Sequence, residues 1–235
     1  ISPYWAIENL HWIIEIDMKT SGFLLTLFMA LQLQGQVFEF ESSEGNQVYN
    51  HRILMDDSYI IETIYESNPP VFILTRGGYY QKQGKTVFAS LEFNSNFEKD
   101  QFKTFQWDSS NWKAKNKQRQ VLDGKWLMAG RVKAEGEQRR DITRSRKTMK
   151  FLIDGCFQWT AFNTETFQFF GSGGGDYTAE NGAYVEQIEY FSRDNSRVGA
   201  KLSFEYLRKE KDWYHKGFSS KGASLHEIWT LRPSQ

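Results

Sequence analysis

Three segments of the chain alternate apolar and polar residues with a period of two, which is the spacing of a half-buried β-strand. They are residues 37–40, 157–162 and 184–190. The dipeptides Asp154-Gly155 and Asn181-Gly182 fall between such runs and are typical of two-residue hairpin turns. Aromatic residues make up 16% of the 235 residues, and they favour pleated, half-buried surfaces. The sequence therefore predicts an all-β fold, built as an antiparallel barrel or sandwich.

The charges balance, with 29 Lys and Arg residues against 29 Asp and Glu residues. A zero net charge argues against a protein whose main task is to neutralise the phosphates of a nucleic acid. The one basic stretch, residues 113–120, carries no accompanying pattern of aromatic residues. We interpret it as a solvated linker, and no nucleic-acid partner is predicted.

The chain repeats itself after residue 35, which indicates a duplicated unit. Five pairs of segments match in residue type and in order: 33–37 with 122–126, 52–59 with 150–157, 77–80 with 174–177, 90–93 with 187–190, and 105–107 with 204–206. We predict a first β unit at 36–112, the linker at 113–120 and a second β unit at 121–235. The first copy lacks part of the closing hairpin that the second has at 207–232, so the first barrel is expected to be truncated.

The N-terminal region has the layout of a secretory signal peptide. Met18-Lys19-Thr20 places a positive charge before an apolar run of about ten residues. That run is shorter than the ~20 residues that span a bilayer. We predict a helical signal segment at 18–35, with residues 1–17 as an upstream extension. The alternative is one longer membrane-lying segment. A secreted or periplasmic location follows, with no stable membrane span once the signal is removed.

The start and end of the second unit carry a recognisable pair of features. Gly124-x-Trp126 opens the unit, and Arg232 lies in its last strand. This pair resembles the signature of lipocalins and other calycins, in which a tryptophan packs across the barrel floor under an arginine from the last strand. The resemblance implies that Gly124, Trp126 and Arg232 form the floor of the second barrel, with the guanidinium on the face of the indole. The first unit has Val37 in place of the tryptophan.

A narrower resemblance covers residues 121–235 and extends more loosely over 33–118. The segments that carry it are 146–150, 157–159, 163–166, 169–175, 191–200 and 219–222. They are similar to secreted lipocalin-like proteins of Bacteroidetes-type bacteria. This resemblance implies two tandem lipocalin-like barrels and an exported protein, and it implies no particular activity.

Two carboxylates fall on strand faces that are otherwise apolar. Alternation places Glu186 with Tyr184, Ile188 and Tyr190, and Glu227 with Leu225, Trp229 and Leu231. A buried carboxylate without a partner is costly, so inward-facing acids need Arg131, Arg197 or a ligand beside them. The alternatives are that these faces point outward near a barrel rim, or that the ion pairs are internal.

Seven residues are predicted to line a ligand cavity in the second barrel: Trp159, Phe169, Tyr177, Glu186, Tyr190, Phe204 and Glu227. The glycine-rich run 171–175 lacks the lysine and the following helix of a phosphate-binding loop, and is interpreted as a strand bend. The four histidines show no metal-binding spacing. No catalytic residue, metal or cofactor is predicted.

Three classes of function remain open. The first is a binding protein that holds a small apolar or amphipathic molecule in its barrel. The second is a non-catalytic interaction or scaffold protein of the cell envelope, with filled barrels. The third is a hydrolase that acts on a sugar or a lipid, for which two carboxylates at a suitable separation would be needed.

Overall fold

The computed structural model describes residues 36–115, 118–219 and 221–233, and these confirm the predicted all-β class. One short helix, α1 (Phe97–Asp100), and two 3-10 turns (Ser109–Asn111 and Asn195–Arg197) interrupt the strands. The strands are β1 (Gln36–Glu44), β2 (Gln47–Met55), β3 (Tyr59–Ser67), β4 (Pro70–Gln83), β5 (Thr86–Asn94), β6 (Thr104–Asp108), β7 (Lys113–Ala114), β8 (Gly124–Lys133), β9 (Gly136–Arg139), β10 (Arg146–Ile153), β11 (Cys156–Asn163), β12 (Phe169–Glu180), β13 (Ala183–Phe191), β14 (Lys201–Lys209), β15 (Asp212–Phe218) and β16 (Ser224–Leu231).

The first seven strands form one antiparallel sheet in the order β6-β5-β4-β3-β2-β1-β7. This sheet is curled but open, so it is a half-barrel with edges at β6 and β7. The predicted linker 113–120 contributes the last strand, because Lys113 and Ala114 pair with Glu39 and Phe38 of β1.

The second sheet closes into an eight-stranded barrel. Strands β10 to β16 follow one another in order, and β8 lies between β16 and β10 to complete the ring. Strand β9 forms an additional hairpin with β8. The hairpin turns predicted at Asp154-Gly155 and Asn181-Gly182 are confirmed, since all four residues have the positive φ that such turns require. Strands β15 and β16, which close this barrel, have no counterpart in the open sheet.

The two sheets share a core, and the described residues form one compact unit. Side chains from all eight strands of the barrel fill its interior, among them Trp126, Phe157 and Trp213. A second apolar cluster joins the outer face of β8, β10 and β11 to one face of the open sheet, where Phe151 meets Tyr59. The open sheet therefore packs on the outer face of β8, β10 and β11. A third cluster lies on the opposite face of the open sheet.

The internal repeat is visible as the same irregularity in both sheets. Glu92 is an extra residue in β5 opposite Gly77-Gly78, and Glu189 is an extra residue in β13 opposite Gly174-Gly175. Both bulges lie in segments that the sequence comparison aligned. A Cβ at Gly175 would lie 1.9 Å from a backbone oxygen of the facing strand, so only glycine allows this close approach.

Each bulge glutamate binds an arginine of the other sheet. Arg232 makes a two-pronged contact with Glu92, at 2.8 and 2.7 Å from the two carboxylate oxygens. Arg52 donates to Glu189 and also to Glu39. These crossed ion pairs, together with the shared apolar cluster, hold the half-barrel on the barrel.

The predicted signal segment at 18–35 and the upstream extension at 1–17 lie outside the described residues. Within the described ranges, the chain has no helix that combines the length and the apolar character needed to cross a bilayer.

Candidate functional site

A buried ion pair lies inside the barrel. Lys150 and Glu186 are 5% and 4% exposed, and the Lys150 Nζ lies 2.6 Å from Glu186 Oε1. The register places Lys150 between Trp126 and Trp159 on neighbouring strands, so its side chain points inward with theirs. The hydroxyl of Tyr184 donates a second hydrogen bond to the same carboxylate oxygen, at 2.8 Å.

Aromatic rings surround the Lys150 ammonium group. Its Nζ lies 5.2 Å from the ring centres of Tyr184 and Trp213, 5.3 Å from that of Trp229 and 5.9 Å from that of Phe204. Cation–π contacts with desolvated rings compensate part of the cost of burying the charge.

A second polar pair, His215 and Glu227, faces the same interior from β15 and β16. The two residues are opposite each other in register, and His215 Nδ1 lies 3.5 Å from Glu227 Oε2. Glu227 accepts a hydrogen bond from Trp229 Nε1 at 3.2 Å and lies 3.7 Å from Arg131. Arg131 was one of the partners expected from the sequence, whereas Arg197 pairs with Asp194.

Burial and charge hold His215 in its neutral form. The side chain is almost fully buried, and burial together with the nearby Lys150 charge lowers its pKa to about 4. Burial would raise the pKa of Glu227, but His215 and the positive charges of Lys150 and Arg131 lower it below its ordinary value. At neutral pH the imidazole of His215 is therefore uncharged and the carboxyl group of Glu227 is ionised.

Three polar atoms in this interior lack hydrogen-bond partners. They are Nδ1 and Nε2 of His215 and Nε1 of Trp213, out of five such buried side-chain atoms among the described residues. The two rings are 5.1 Å apart, and the imidazole lies 4.1 Å from the ring of Phe204. Nε2 of His215 and Nε1 of Trp213 are thus unpaired polar atoms within one aromatic cluster of the interior.

Four of the seven predicted cavity residues contribute to this interior: Tyr177, Glu186, Phe204 and Glu227. Trp159 is partly buried against the interior cluster, with the edge of its ring packed on Phe191.

The other two predicted residues lie outside the barrel. The extra residue Glu189 shifts the alternation by one, so Tyr190 leaves the face that Glu186 occupies and packs against Tyr65 of the open sheet. Its hydroxyl donates to Gln158 at 3.1 Å. Phe169 stacks on Phe72 of the open sheet, with 6.3 Å between ring centres.

The floor of the barrel differs from the expected arrangement. Trp126 is fully buried and its Nε1 donates to the carbonyl oxygen of Leu122 at 2.8 Å, while Gly124 precedes it at the start of β8. The guanidinium group over its ring belongs to Arg208, at 5.4 Å from the ring centre. The expected stacking of Arg232 on this indole is therefore wrong.

Strand register explains where Arg232 goes. Leu231 is opposite Trp126 and packs against the interior, so the next residue points out of the barrel. The Arg232 guanidinium lies 5.3 and 5.1 Å from the ring centres of Tyr59 and Tyr79 in the open sheet. Burial would lower its pKa, but the contact with Glu92 raises it, so the group stays charged.

Sequence reasoning missed Lys150 and His215 as interior polar residues. Lys150 shares a face with the apolar Leu152 on β10, and His215 shares a face with Trp213 on β15. The two-residue spacing of Lys150 from Leu152, and of His215 from Trp213, is the sequence signal that could have identified them. Among the described residues, no cluster of three or more His, Cys, Asp or Glu side chains is arranged to hold a metal ion.

No protein family model matches the chain, and no curated protein matches it significantly.

Proposed function

We propose that the barrel binds a small amphipathic molecule, whose polar group contacts His215 and whose apolar part packs on the surrounding aromatic rings. The observation that carries this proposal is the buried imidazole of His215, whose Nε2 has no hydrogen-bond partner and whose Nδ1 has only Glu227 nearby, at 3.5 Å. A neutral imidazole has one donor and one acceptor. Leaving one of them buried and unpaired costs about 1–3 kcal/mol, and native proteins pair almost all such groups. A bound hydroxyl group can pair with Nε2, while Nδ1 faces Glu227.

The packing of the interior limits the size and charge of this molecule. Trp126, Tyr184 and Trp213 already fill much of the space, so the ligand is small. Lys150 and Glu186 neutralise each other, and Arg131 lies beside Glu227. These pairings favour an uncharged polar group over an ionic one.

We further propose that the protein acts after export, as a secreted or periplasmic binding protein of lipocalin-like architecture. The support for export is the apolar run after Lys19. The support for the architecture is the closed antiparallel barrel with Trp126 at the start of its first strand.

A non-catalytic interaction or scaffold protein is the second candidate function. The observation in its favour is that side chains from every strand of the barrel fill the interior. In this case an internal water pairs with Nε2 of His215, and such a water needs two to four polar partners.

The experiment compares the wild-type chain with His215→Phe and with His226→Phe, a histidine on β16 whose ring faces Tyr214 on the outer side. Native mass spectrometry detects any co-purifying molecule, and phenol and 1-hexanol serve as small hydroxyl-bearing probes in thermal melting. We expect a bound molecule, or a probe-dependent rise in Tm, in the wild type and in His226→Phe but not in His215→Phe. Saturation at 100 times the Kd corresponds to about 2.7 kcal/mol of added stability.

If the wild type shows only the mass of the chain, and neither phenol nor 1-hexanol changes its Tm, the binding proposal is overturned. That result would support the function of an interaction or scaffold protein. A Tm rise of equal size in all three proteins would overturn the role of His215.

A further inference from the structure

Three residues on adjacent strands of the open sheet form a continuous hydrogen-bonded relay. Ser42 Oγ lies 2.8 Å from His51 Nε2, and His51 Nδ1 lies 3.0 Å from Glu62 Oε1. They come from β1, β2 and β3, on the face that points away from the barrel. This is the connectivity of a serine, a general base and an orienting carboxylate in hydrolases that use a serine nucleophile.

The carboxylate of this relay is buried and held in place. Glu62 is 1% exposed, and its other oxygen accepts hydrogen bonds from Arg76 Nε and Trp107 Nε1, each at 2.8 Å. Burial would raise the pKa of Glu62, but its contacts with His51, Arg76 and Trp107 lower it below the ordinary value. Glu62 is therefore ionised at neutral pH and only accepts hydrogen bonds.

An ionised Glu62 fixes the hydrogen positions along the relay. An ionised carboxylate only accepts, so Nδ1 of His51 donates to Glu62; in the tautomer with its single proton on Nδ1, Nε2 accepts from the hydroxyl of Ser42. The imidazole is also held by stacking on Phe40, with ring centres 4.3 Å apart and an angle of 16° between the planes. Two contacts thus orient the imidazole ring toward the hydroxyl of Ser42: the hydrogen bond to Glu62 and the stacking on Phe40.

The relay is open to solvent at the end where a substrate would arrive. Ser42 is exposed, on the face of the open sheet that points away from the barrel. Trp112 stacks on Phe40 and extends this aromatic group, with 6.5 Å between the ring centres.

We propose that Ser42, His51 and Glu62 form a hydrolytic site for small carboxylic esters, separate from the barrel interior. Ser42 Oγ attacks the carbonyl carbon while its proton passes to His51 Nε2. Collapse of the tetrahedral intermediate breaks the bond to the alcohol oxygen, which leaves with that proton. Water then attacks the acyl-serine with His51 as the base, and releases the carboxylic acid and the free hydroxyl of Ser42. Ser42 and His51 are the catalytic residues, and Glu62 is a positioning residue.

The test uses p-nitrophenyl acetate and butyrate as substrates and a fluorophosphonate as a covalent probe of Ser42. The variants are Ser42→Ala, His51→Gln and Glu62→Gln, and the control is Ser90→Ala, an exposed serine on β5. We expect the probe to add its mass at Ser42 and the wild type to turn over the esters. Ser42→Ala should abolish both, and loss of the base His51 should lower kcat about 100-fold or more. Ser90→Ala should match the wild type.

Glu62→Gln distinguishes positioning from a general loss of structure. It should lower kcat with little change in KM, while Tm and the circular dichroism spectrum confirm that the variant is folded. Ester hydrolysis at the same rate in wild type and a folded Ser42→Ala, or the absence of probe at Ser42, overturns the proposal. Because Ser42, His51 and Glu62 lie on the open sheet and His215 lies in the barrel interior, the two proposals succeed or fail independently.

Discussion

Replacing Lys150 by methionine should destabilise the protein by about 3–5 kcal/mol, because it leaves the buried carboxylate of Glu186 without its cation. Both groups are at most 5% exposed, so water does not screen the pair or take the place of the lost partner. Methionine has nearly the length of lysine and keeps the contacts with the surrounding rings. The loss therefore reports the uncompensated charge rather than a cavity.

The double variant Lys150→Met/Glu186→Gln removes both charges and keeps an acceptor for the Tyr184 hydroxyl. It should recover much of the lost stability and lie within about 1–3 kcal/mol of the wild type, the usual cost of one unpaired buried polar group. The matched control is Lys216→Met, in an exposed pair with Glu205 at 3.3 Å, which should cost less than about 1 kcal/mol.

The assay is equilibrium urea unfolding at pH 7, followed by tryptophan fluorescence, with the free energies compared in a double-mutant cycle. A loss below about 1 kcal/mol for Lys150→Met would contradict the reasoning, since a buried carboxylate would then tolerate the absence of its partner. Additive losses in the double variant would also contradict it.

Two further predictions concern His215 and Gly175. The pKa of His215 is about 4 in the folded chain against 6.5 as its ordinary value, so the unfolded state binds more protons between these values. The free energy of unfolding, measured with urea, should fall by up to about 3 kcal/mol as the pH drops from 6.5 to 4. This pH dependence should be lost in His215→Phe and kept in His226→Phe. An equal pH dependence in both variants would refute the assignment to His215. Gly175→Ala should cost more than about 2 kcal/mol, because its Cβ would clash with the facing backbone. Gly45→Ala, with φ +59 and open space around it, should cost only about 1 kcal/mol, and similar urea midpoints for the two variants would count against the clash.

The alternation of apolar and polar residues predicts correctly which side chains share a face wherever a strand is regular. The face that Glu227 shares with Trp229 and Leu231 was predicted from the sequence, and all three side chains lie on the barrel interior. Tyr190 was misplaced because a bulge inserts one residue without leaving a mark in the polar and apolar pattern. The bulge becomes recognisable only from the glycines that face it on the neighbouring strand.

Buried polar residues were harder to predict, because both faces of several strands are covered. On β10 the apolar Met149 and Phe151 face the open sheet, and Lys150 between them faces the barrel interior. Alternation of this kind normally indicates that the polar residue points to solvent. Lys150 is buried because the open sheet covers the apolar face of β10, which leaves the face of Lys150 to line the barrel interior.

The relay of Ser42, His51 and Glu62 has no sequence signature at all. Its members belong to three strands and meet because the strands pair in one particular register. The register decides which residues lie next to each other across a sheet, and no sequence motif of fixed spacing specifies that register.

The crossed ion pairs between the sheets have a consequence for any attempt to isolate one of them. The side chain of Arg52 in the open sheet is 1% exposed against Glu189 of the barrel, and the side chain of Arg232 next to the barrel is 5% exposed against Glu92 of the open sheet. Removal of either sheet would leave charged groups of the other unpaired and would expose the apolar outer wall of the barrel. A shortened chain that carries one sheet alone is therefore expected to aggregate rather than fold.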